Sequence, residues 1–414
     1  MMLLSATVSA AKLSLGPYVQ DVGIDSFVVV VETDASASVT VEVGDSDKAN
    51  IATLTSQGTW HEIRVAGLKA KSSYRYRVLV GGVDYGGGTV ATAPLLTDDA
   101  PINFAVYGDS RDGRDIERAI VEKVIADGAE LVLHTGDLVR QGDLDSEWRD
   151  FLKAEAPLMA NIPLYPTLGN HEIYRDDEAK NFRHYFVLPD GGRKQLYYSF
   201  RYGPARFFVL DGNQTDDERY AHKKGVSSVQ TQWLANALDA ADQEGGVRHL
   251  FVLVHQPPFS TGGHCGSAEL ESDWVALFER HRVRAVFGGH DHAYQRLERN
   301  GIRYFDSGGG GSSIYRERPG CPAFDQAARR VYVKAFHYLR VRVAGDLVKV
   351  SAVAPDGSII EEVEYDREAR GGSSPELVDE RIWPRALRIG AAVGLACLLL
   401  FLGARRLRRK VRKS

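Results

Sequence analysis

The chain has 414 residues, of which 44% are apolar and 26% are charged. This is enough for two or three folded domains and excludes a chain that is disordered throughout. Ten of the 51 basic residues lie beyond residue 380, where no acidic residue occurs, so residues 1–380 carry 41 basic and 55 acidic side chains, a net charge of about −14. A nucleic-acid-binding surface, which needs clustered positive charge, is therefore not evident.

The N-terminal part of the chain is predicted to be a leader followed by an all-β domain. Residues 1–11 (MMLLSATVSAA) are apolar and end in small residues but lack a basic start, so we interpret them as a candidate truncated signal peptide. Residues 12–95 hold β-branched or alternating runs separated by Gly, Asp and Ser, which predicts a β-sandwich of about seven strands. The segment LKAKSSYRYRV resembles a corner of a fibronectin type III domain, in which Tyr74 would hydrogen-bond back to the turn. No residue here indicates chemistry, so we expect a structural role.

Residues 100–365 alternate between apolar runs and amphipathic helical segments. INFAVYGD is followed by DIERAIVEKVIADG, and ELVLHTGD by SEWRDFLKAEAPLM. Such alternation predicts an α/β domain with a mainly parallel sheet, or two packed β-sheets, flanked by helices. The final runs are separated by GD and DG turns and are antiparallel in character. The predicted fold class is thus multidomain, with an N-terminal all-β sandwich and an α/β domain.

Five of the predicted strands end in side chains that can bind metals. Each follows an apolar run beside a glycine or proline: Asp109, Asp137, Asn170 with His171, His255, and His290 with His292. The carboxyl ends of strands in an open α/β sheet form one edge, so we expect these side chains to converge. Oxygen and imidazole donors suit Mn, Fe, Zn or Co, and they are too many for one tetrahedral ion. Taken singly, each has an ordinary alternative: a helix cap, a turn, a packed histidine or a surface loop.

This ordered set resembles the calcineurin-like metallophosphoesterases, over roughly residues 100–365. The β domain and the runs NFRHYFVLP, YYSFRYGPARFFVLD and YFDSGGGGSSIY resemble the purple acid phosphatase-like branch. The resemblance implies two divalent metal ions whose bridging hydroxide attacks a phosphate ester. It assigns Asp109, Asp137 and His292 to the first ion, with Asp137 bridging, and Asn170, His255 and His290 to the second.

Two residues near these ligands are predicted to act in catalysis. The resemblance implies that His171 stabilises the phosphoryl oxygens or protonates the leaving group; the alternative is that it only holds a neighbouring ligand by a hydrogen bond. Arg111 stands where many relatives have a metal ligand. Because an arginine does not ligate metals, we expect it to clamp a phosphate oxygen, with a plain salt bridge as the alternative.

Four more residues are candidates for substrate contacts. Arg140 stands where purple acid phosphatases carry the tyrosine that binds ferric iron, so two divalent ions (Mn, Fe or Zn) are expected instead of a ferric centre. His264, Tyr294 and Arg296 lie on predicted loops near ligands, and ordinary loop contacts are the alternative for each.

The C-terminal segment is predicted to anchor the chain. Residues 366–384 read as a linker, residues 385–405 as a transmembrane helix around IGAAVGLACLLLFLGA, and residues 406–414 as a basic cytoplasmic tail. The catalytic domain would then be extracytoplasmic, in the periplasm or at the cell surface; a buried C-terminal helix is the alternative. Cys265 and Cys321 would form a disulfide outside the cytoplasm and remain free thiols inside it.

The sequence thus predicts a membrane-anchored, extracytoplasmic, acid phosphatase-like hydrolase of phosphate esters with two divalent metal ions. Its expected partners are a phosphate-ester substrate and the membrane; monoesters and diesters are not separated, and the oligomeric state is left open. The alternative is a catalytically impaired cell-surface binding or adhesion protein on a phosphoesterase scaffold, a reading that Arg111 and Arg140 keep open.

Overall fold

A long hairpin organises the N-terminal region of the computed structural model, which describes residues 11–45, 48, 50–189, 196–213 and 227–366. The strands of this region are β1 (Leu13–Gln20), β2 (Ser26–Gly44), β3 (Ala52–Ala66), β4 (Ser73–Val80) and β5 (Val83–Ala91). β3 pairs with β2 along nearly its whole length, with one irregularity between Glu32 and Ala37. β1 pairs with the first half of β2 and β4 with the second half, so one hairpin serves both halves of the sandwich.

The predicted β-sandwich is confirmed, but the expected number of strands is wrong. The described residues form five strands, because β2 (19 residues) and β3 (15 residues) are each long enough to replace two shorter strands. Tyr74 behaves as predicted, since its hydroxyl accepts a 2.8 Å hydrogen bond from the Lys69 backbone N–H. The finer resemblance to a fibronectin type III domain is not confirmed.

Two β-sheets follow the sandwich. The first contains β6 (Ile102–Tyr107), β7 (Leu131–His134), β8 (Leu164–Pro166), β16 (Tyr338–Ala344), β17 (Leu347–Val353) and β18 (Ile359–Tyr365). The second contains β9 (Tyr198–Tyr202), β10 (Ala205–Leu210), β11 (His249–Val254), β12 (Ala285–Gly288), β13 (Tyr294–Arg299), β14 (Ile302–Ser307) and β15 (Arg329–Val333). Their strand orders are β18-β17-β16-β6-β7-β8 and β15-β13-β14-β12-β11-β10-β9. The central strands β6-β7-β8 and β10-β11-β12-β14 are parallel, and the outer strands are antiparallel.

Aromatic side chains hold the two sheets together. The ring of Phe104 on β6 lies 5.3 Å from Phe207, 5.5 Å from Phe251 and 6.0 Å from Phe287, which belong to β10, β11 and β12 (centroid distances). All three pairs are edge-on, the geometry that aromatic rings favour. The sequence prediction of two packed sheets is therefore confirmed.

Helices cover the outer faces of these sheets. They are α1 (Arg114–Ala126), α2 (Asp145–Met159), α3 (Lys180–Tyr185), α4 (Ser228–Gln243), α5 (Ala268–Leu270), a π-helical turn (Glu271–Val275), α6 (Ala276–His281) and α7 (Ala323–Ala328). α1 joins β6 to β7 and α2 joins β7 to β8, the crossover connection that parallel strands require. α1 buries Ile120, Val121 and Val124 at helical spacing, as its sequence pattern predicts.

The predicted fold class needs one correction at the C-terminus. Within the described ranges, no helix has the length and apolar character needed to cross a membrane. The longest of these helices, α4, has 16 residues and is amphipathic, whereas a span needs about 20 largely apolar residues. The fold class of the described residues is therefore an N-terminal β-sandwich with an α/β domain, without the transmembrane helix that was expected at residues 385–405. Residues 385–405 lie outside the described residues, as do residues 1–10, the linker beyond residue 366 and the tail at 406–414.

One face of the sandwich packs into the hydrophobic core of the two-sheet region, while its other buried residues form a separate cluster. Leu15, Tyr18, Val28 and Val30 of the sandwich are buried in the same cluster as the inner faces of the sheets. Three buried tyrosines donate hydrogen bonds to backbone carbonyls across the junction: Tyr18 to Tyr185 (2.9 Å), Tyr76 to Ala160 (2.8 Å) and Tyr165 to Val22 (3.2 Å). A buried hydroxyl is costly unless paired, so these contacts fix how the two regions pack.

An ion pair closes the edge of this junction. Arg149 on α2 donates two hydrogen bonds to Glu32 on β2, at 2.6 and 2.9 Å. This paired geometry is the strong form of an arginine–carboxylate contact. The hydrogen bond from Arg149 lowers the pKa of Glu32 below its ordinary value.

We predict that Arg149→Ala lowers the free energy of unfolding by about 1 kcal/mol at neutral pH, because a partly exposed paired contact is lost. The lowered pKa means that this contribution is present above the ordinary pKa of a glutamate and is lost as the pH falls through the lowered value. Urea unfolding at pH 7 and below about pH 4 measures both effects. Lys180→Ala, which breaks only an exposed pair with Glu178, is the control; equal losses in both variants would contradict the assignment.

Candidate metal centre

Three of the predicted metal ligands form a compact buried group. Asp109, Asp137 and His292 each offer a ligand atom within 4.8 Å of the other two. His292 Nε2 lies 3.2 Å from Asp109 Oδ1. β6, β7 and β12 deliver these residues, so the sheet edges of both sheets meet at this point, as the sequence predicted.

The backbone at these strand ends adopts an uncommon conformation. Asp109 and Asp137 both have φ of 57°, and His290 has φ of 67°. The left-handed region is unfavourable for residues other than glycine and is concentrated at functional sites. Adjacent glycines make room for the carboxylates: a Cβ at Gly289 would lie 2.6 Å from Asp109 Oδ2, and one at Gly169 would lie 2.3 Å from Asp137 Oδ1.

The other three predicted ligands lie beside this group. His255 Nε2 is 3.1 Å from Asn170 Oδ1 and 3.4 Å from Asp137 Oδ1. The His290 ring centroid lies 5.1 Å from that of His255. Asp137 therefore stands between the two groups, the position that a bridging carboxylate requires.

Backbone carbonyls orient two of the histidines. His255 Nδ1 donates to the Thr135 carbonyl at 2.7 Å, and His292 Nδ1 donates to the Ser313 carbonyl at 2.8 Å. With Nδ1 carrying the proton, the neutral imidazole can offer the Nε2 lone pair to a metal ion beside the carboxylates, the usual arrangement of a metal-binding histidine. Buried carboxylates, an amide oxygen and oriented imidazoles form a donor set that fits divalent metal ions.

Opposite charges compensate each other inside the group. Burial by itself disfavours the charged forms, but contact with His292 holds the pKa of Asp109 well below its ordinary value. The same contact outweighs the effect of burial on the imidazole and raises the pKa of His292. The lowered pKa keeps the Asp109 carboxylate ionised at the position where a metal ion would bind.

Arg111 lies against this group. Its Nη1 donates to Asp137 Oδ2 at 2.6 Å and lies 3.5 Å from Asp109 Oδ1 and 3.4 Å from His292 Nε2. The side chain is only 8% exposed. Burial works against its charge, but Asp137 and Asp109 raise the pKa of Arg111. The salt-bridge alternative is thus observed at this position, and the guanidinium brings a fixed positive charge to the predicted ligands.

The two remaining residues next to the group are linked to each other. His171 Nδ1 donates to the backbone carbonyl of Arg140 at 2.7 Å, and the His171 backbone N–H donates to Asp137 Oδ1 at 3.1 Å. The Arg140 guanidinium pairs with Asp112 and is 62% exposed. His171 therefore lies at the rim of the centre, and Arg140 at the adjoining surface.

Two rings, those of His264 and Tyr315, pack against His290 and His292. The His264 ring lies 4.1 Å from that of His290, and the Tyr315 ring stacks on His292 at 4.1 Å. A disulfide between Cys265 and Cys321, whose Cα atoms are 5.4 Å apart, ties together the two loops that carry His264 and Tyr315. The structure therefore brings His264 to the centre, and it adds Tyr315, for which the sequence offered no signal beyond its place in the YFDSGGGGSSIY run.

The structure does not bring Tyr294 and Arg296 to the centre. Both lie on β13 and bind Glu361 on β18: the Tyr294 hydroxyl donates at 2.5 Å and Arg296 Nη2 at 2.9 Å. Tyr294 is 1% and Arg296 is 4% exposed. The Tyr294 hydroxyl and the Arg296 guanidinium thus link the second sheet to the first. For both residues, the alternative of an ordinary structural contact is therefore the one observed.

Glu172, which directly follows His171, is a central support of the site, and its sequence context alone is equally compatible with a solvated loop residue. It is fully buried, and its two carboxylate oxygens accept hydrogen bonds from four backbone N–H groups: Asp137 (2.8 Å), Leu138 (2.8 Å), Val139 (3.2 Å) and Gly169 (2.7 Å). Burial, with a contribution from Asp137, raises the pKa of Glu172 to about 8, and the backbone donors offset part of this rise. The side chain fixes the loops after β7 and β8 relative to each other.

The fold and this donor set define a class of protein that the comparisons identify. Residues 102–294 match the family model for the calcineurin-like phosphoesterase, and residues 10–86 match a domain of unknown function (DUF7800). The chain therefore contains a calcineurin-like phosphoesterase domain with purple acid phosphatase homologues.

Sequence relatives point to the same branch. Purple acid phosphatase 22 of Arabidopsis thaliana is 28% identical over 252 residues, which is 58% of this chain and 54% of that protein. Purple acid phosphatase 18 of the same plant is 30% identical over 256 residues, again 58% and 54%. An uncharacterized protein of Mycobacterium tuberculosis is 25% identical over 303 residues, 65% of this chain and 56% of that protein. The chain thus spans about half the length of the relatives it matches.

Solved structures share the fold over more of the chain. A purple acid phosphatase from yellow lupin (Lupinus luteus) seeds aligns with a TM-score of 0.69 at 15% identity, covering 86% of this chain and 74% of the lupin chain. A structure of PhoD aligns with a TM-score of 0.66 at 16% identity, covering 86% and 91%. Both alignments are longer than the phosphoesterase domain alone, so the shared fold extends beyond it.

We predict that above about pH 8, where Glu172 is a carboxylate, Glu172→Gln lowers the free energy of unfolding by about 2–4 kcal/mol, because the amide nitrogen cannot accept hydrogen bonds and leaves two buried N–H groups unpaired. Urea unfolding measures this loss. Glu178→Gln, at an exposed position nearby, is the control. Similar stability for both variants would show that the four hydrogen bonds do not hold the loops.

We predict that Arg111→Ala tightens the binding of a divalent metal ion by about tenfold, because a positive charge next to Asp137 is removed. Calorimetric titration with Mn²⁺ measures the affinity directly, without reference to activity. Arg140→Ala, which removes an exposed charge paired with Asp112, is the matched control. Weaker binding in the Arg111 variant would mean that the guanidinium supports the ligands instead of competing for them.

Proposed function

We propose that the chain hydrolyses phosphate esters with two divalent metal ions. The observation that carries the proposal is the meeting of carboxylate, amide and imidazole donors from five strand ends at one edge of two packed sheets. The calcineurin-like phosphoesterase match and the purple acid phosphatase relatives support the same activity.

The proposed ligands fall into two sets that share one carboxylate. The first ion would be held by Asp109, Asp137 and His292, and the second by Asp137, Asn170, His255 and His290. When bound, two such ions supply the acidity that makes water nucleophilic near neutral pH and the positive charge that phosphoryl oxygens need. Arg140 occupies the position of the tyrosine that binds ferric iron in purple acid phosphatases. Mn, Fe(II) or Zn is therefore favoured over a ferric centre.

Two side chains would then act on the ester itself. The Nδ1–H of His171 is engaged by the Arg140 carbonyl, so Nε2 is the nitrogen left for the ester. In the imidazolium form, Nε2–H would donate to a phosphoryl oxygen or transfer its proton to the leaving group. The Arg111 guanidinium carries several N–H groups, so it can pair with Asp137 through Nη1 and bind a phosphate oxygen through another. Both residues would stabilise negative charge that grows during the reaction.

A second candidate function rests on the contact between Arg111 and Asp137. A fixed cation 2.6 Å from a bridging carboxylate could reduce metal occupancy and leave a surface binding protein with little turnover. Metal content and turnover of the same preparation separate the two candidates: two bound ions with turnover favour the esterase, and incomplete metal occupancy without turnover favours the binding protein.

We also propose an extracytoplasmic location for the described region. The disulfide between Cys265 and Cys321 supports this, because disulfides persist in oxidising compartments and are rare in the cytosol. The acidic balance of residues 1–380 neither favours nor opposes it.

We predict that Asp137→Asn and His255→Ala each reduce the hydrolysis of p-nitrophenyl phosphate and its bis-ester by at least about 100-fold, since each removes a proposed metal ligand. The purified chain is assayed with added Mn²⁺ or Zn²⁺, and bound metal is counted by mass spectrometry. Asp346→Asn on an exposed turn and His281→Ala, paired with Asp242 on α4, are the matched controls. Near wild-type turnover in either ligand variant would refute the assignment; no turnover of any ester by the wild-type chain would refute the proposed activity.

A further inference from the structure

A basic pocket lies beside the proposed centre. It has a volume of about 390 Å³, and five of the side chains that line it are Arg111, Arg114, Arg118, Arg140 and Lys153. α1, α2 and the loops after β6 and β7 supply them. The two acidic side chains in its lining are Glu147 and Asp150. Such a cluster is unexpected in residues 1–380, where acidic residues outnumber basic ones.

Each of the five cations is paired with a carboxylate, but the pairs of Arg118 and Lys153 are exposed to solvent. Glu147 is occupied by the backbone, because its carboxylate accepts hydrogen bonds from the N–H groups of Arg140 and Gln141 at 2.5 and 3.1 Å. Arg118 is 58% exposed in its pair with Asp115 and Lys153 is 68% exposed in its pair with Asp150. Exposed pairs of this kind contribute little, so a more highly charged anion can displace them.

The Arg114 side chain is held in place at the pocket by two hydrogen bonds. Its Nη1 donates to the buried Glu117 at 2.6 Å, and its Nη2 donates to the Leu138 carbonyl at 3.1 Å. Leu138 directly follows the proposed ligand Asp137, so this arginine ties the pocket to the strand end that supports the centre. The pocket therefore combines one fixed cation, Arg114, with two exposed cations that can change conformation, Arg118 and Lys153.

Two residues connect the pocket with the proposed centre. Arg111 lines the pocket and at the same time donates to Asp137 at 2.6 Å. Arg140 also lines it, and its carbonyl accepts the hydrogen bond from His171. An ester whose phosphorus lies at the ligand group would thus extend its other end past Arg111 and His171 into the pocket.

We propose that this pocket binds a second phosphate group, carried on the leaving part of the substrate, so that the favoured substrates are organic bisphosphates. This inference rests on the proposed function and names its substrate class. Guanidinium groups match phosphate oxygens in pairs, and an ammonium group adds a point charge, so three or more such groups suit a dianion better than a single carboxylate.

The test compares fructose 1,6-bisphosphate with fructose 6-phosphate and p-nitrophenyl phosphate. In the wild-type chain we expect the KM for the bisphosphate to be at least fivefold below that for the monophosphate, and to rise with ionic strength as screening weakens the contact. Arg118→Ala combined with Lys153→Ala should raise the KM for the bisphosphate at least fivefold, with kcat unchanged. The same double variant should leave kcat/KM for p-nitrophenyl phosphate within about twofold, because neither residue belongs to the proposed catalytic groups.

Arg340→Ala combined with Lys349→Ala is the matched control, since these two residues of the first sheet form similar partly exposed pairs, with Asp127 at the end of α1 and with Glu362 on β18. Equal KM values for mono- and bisphosphate, or equal shifts in both double variants, would overturn the inference while leaving the proposed function intact. If no ester is hydrolysed, calorimetric binding of the bisphosphate in the presence of EDTA decides separately: weaker binding by the Arg118/Lys153 variant supports the pocket, and unchanged binding overturns it.

Discussion

One buried carboxylate holds the proposed centre in shape. Glu172 accepts hydrogen bonds from four backbone N–H groups in the loops after β7 and β8. These two loops carry Asp137 and Asn170. A left-handed residue such as Asp137 is stable only when its surroundings fix it, and the Glu172 carboxylate supplies that constraint. The geometry at the sheet edge therefore depends on a side chain that would contact neither metal nor substrate.

The parts that could be predicted from the sequence depend on local pattern and sheet topology. Parallel strands joined by helices must end at a common edge, so Asp109, Asp137 and His255 could be expected together although more than 100 residues separate the first from the last. The glycines beside them carried the same information, because a close approach of backbone to carboxylate leaves no room for a Cβ. The sandwich was predictable from alternation, but not its strand count, because a long hairpin and several short strands have the same local pattern.

The parts that could not be predicted depend on partners distant in sequence. Arg296 looked like a loop residue near ligands, yet its charge is used by Glu361, 65 residues later on another sheet. Arg111 was expected to face substrate, and its position against Asp137 follows from side-chain packing that no spacing rule describes. Glu172 was equally compatible with a solvated loop, since nothing in the adjacent sequence indicates that four backbone groups would surround it.

The tyrosine hydrogen bonds at the junction couple the sandwich to the phosphoesterase domain. Tyr18 and Tyr76 lose their partners if the second region unfolds, and Tyr165 loses its partner if the first does. The junction therefore couples the proposed centre to a region that holds none of its residues. Substitutions in the sandwich that break these contacts would be expected to lower the stability of both regions.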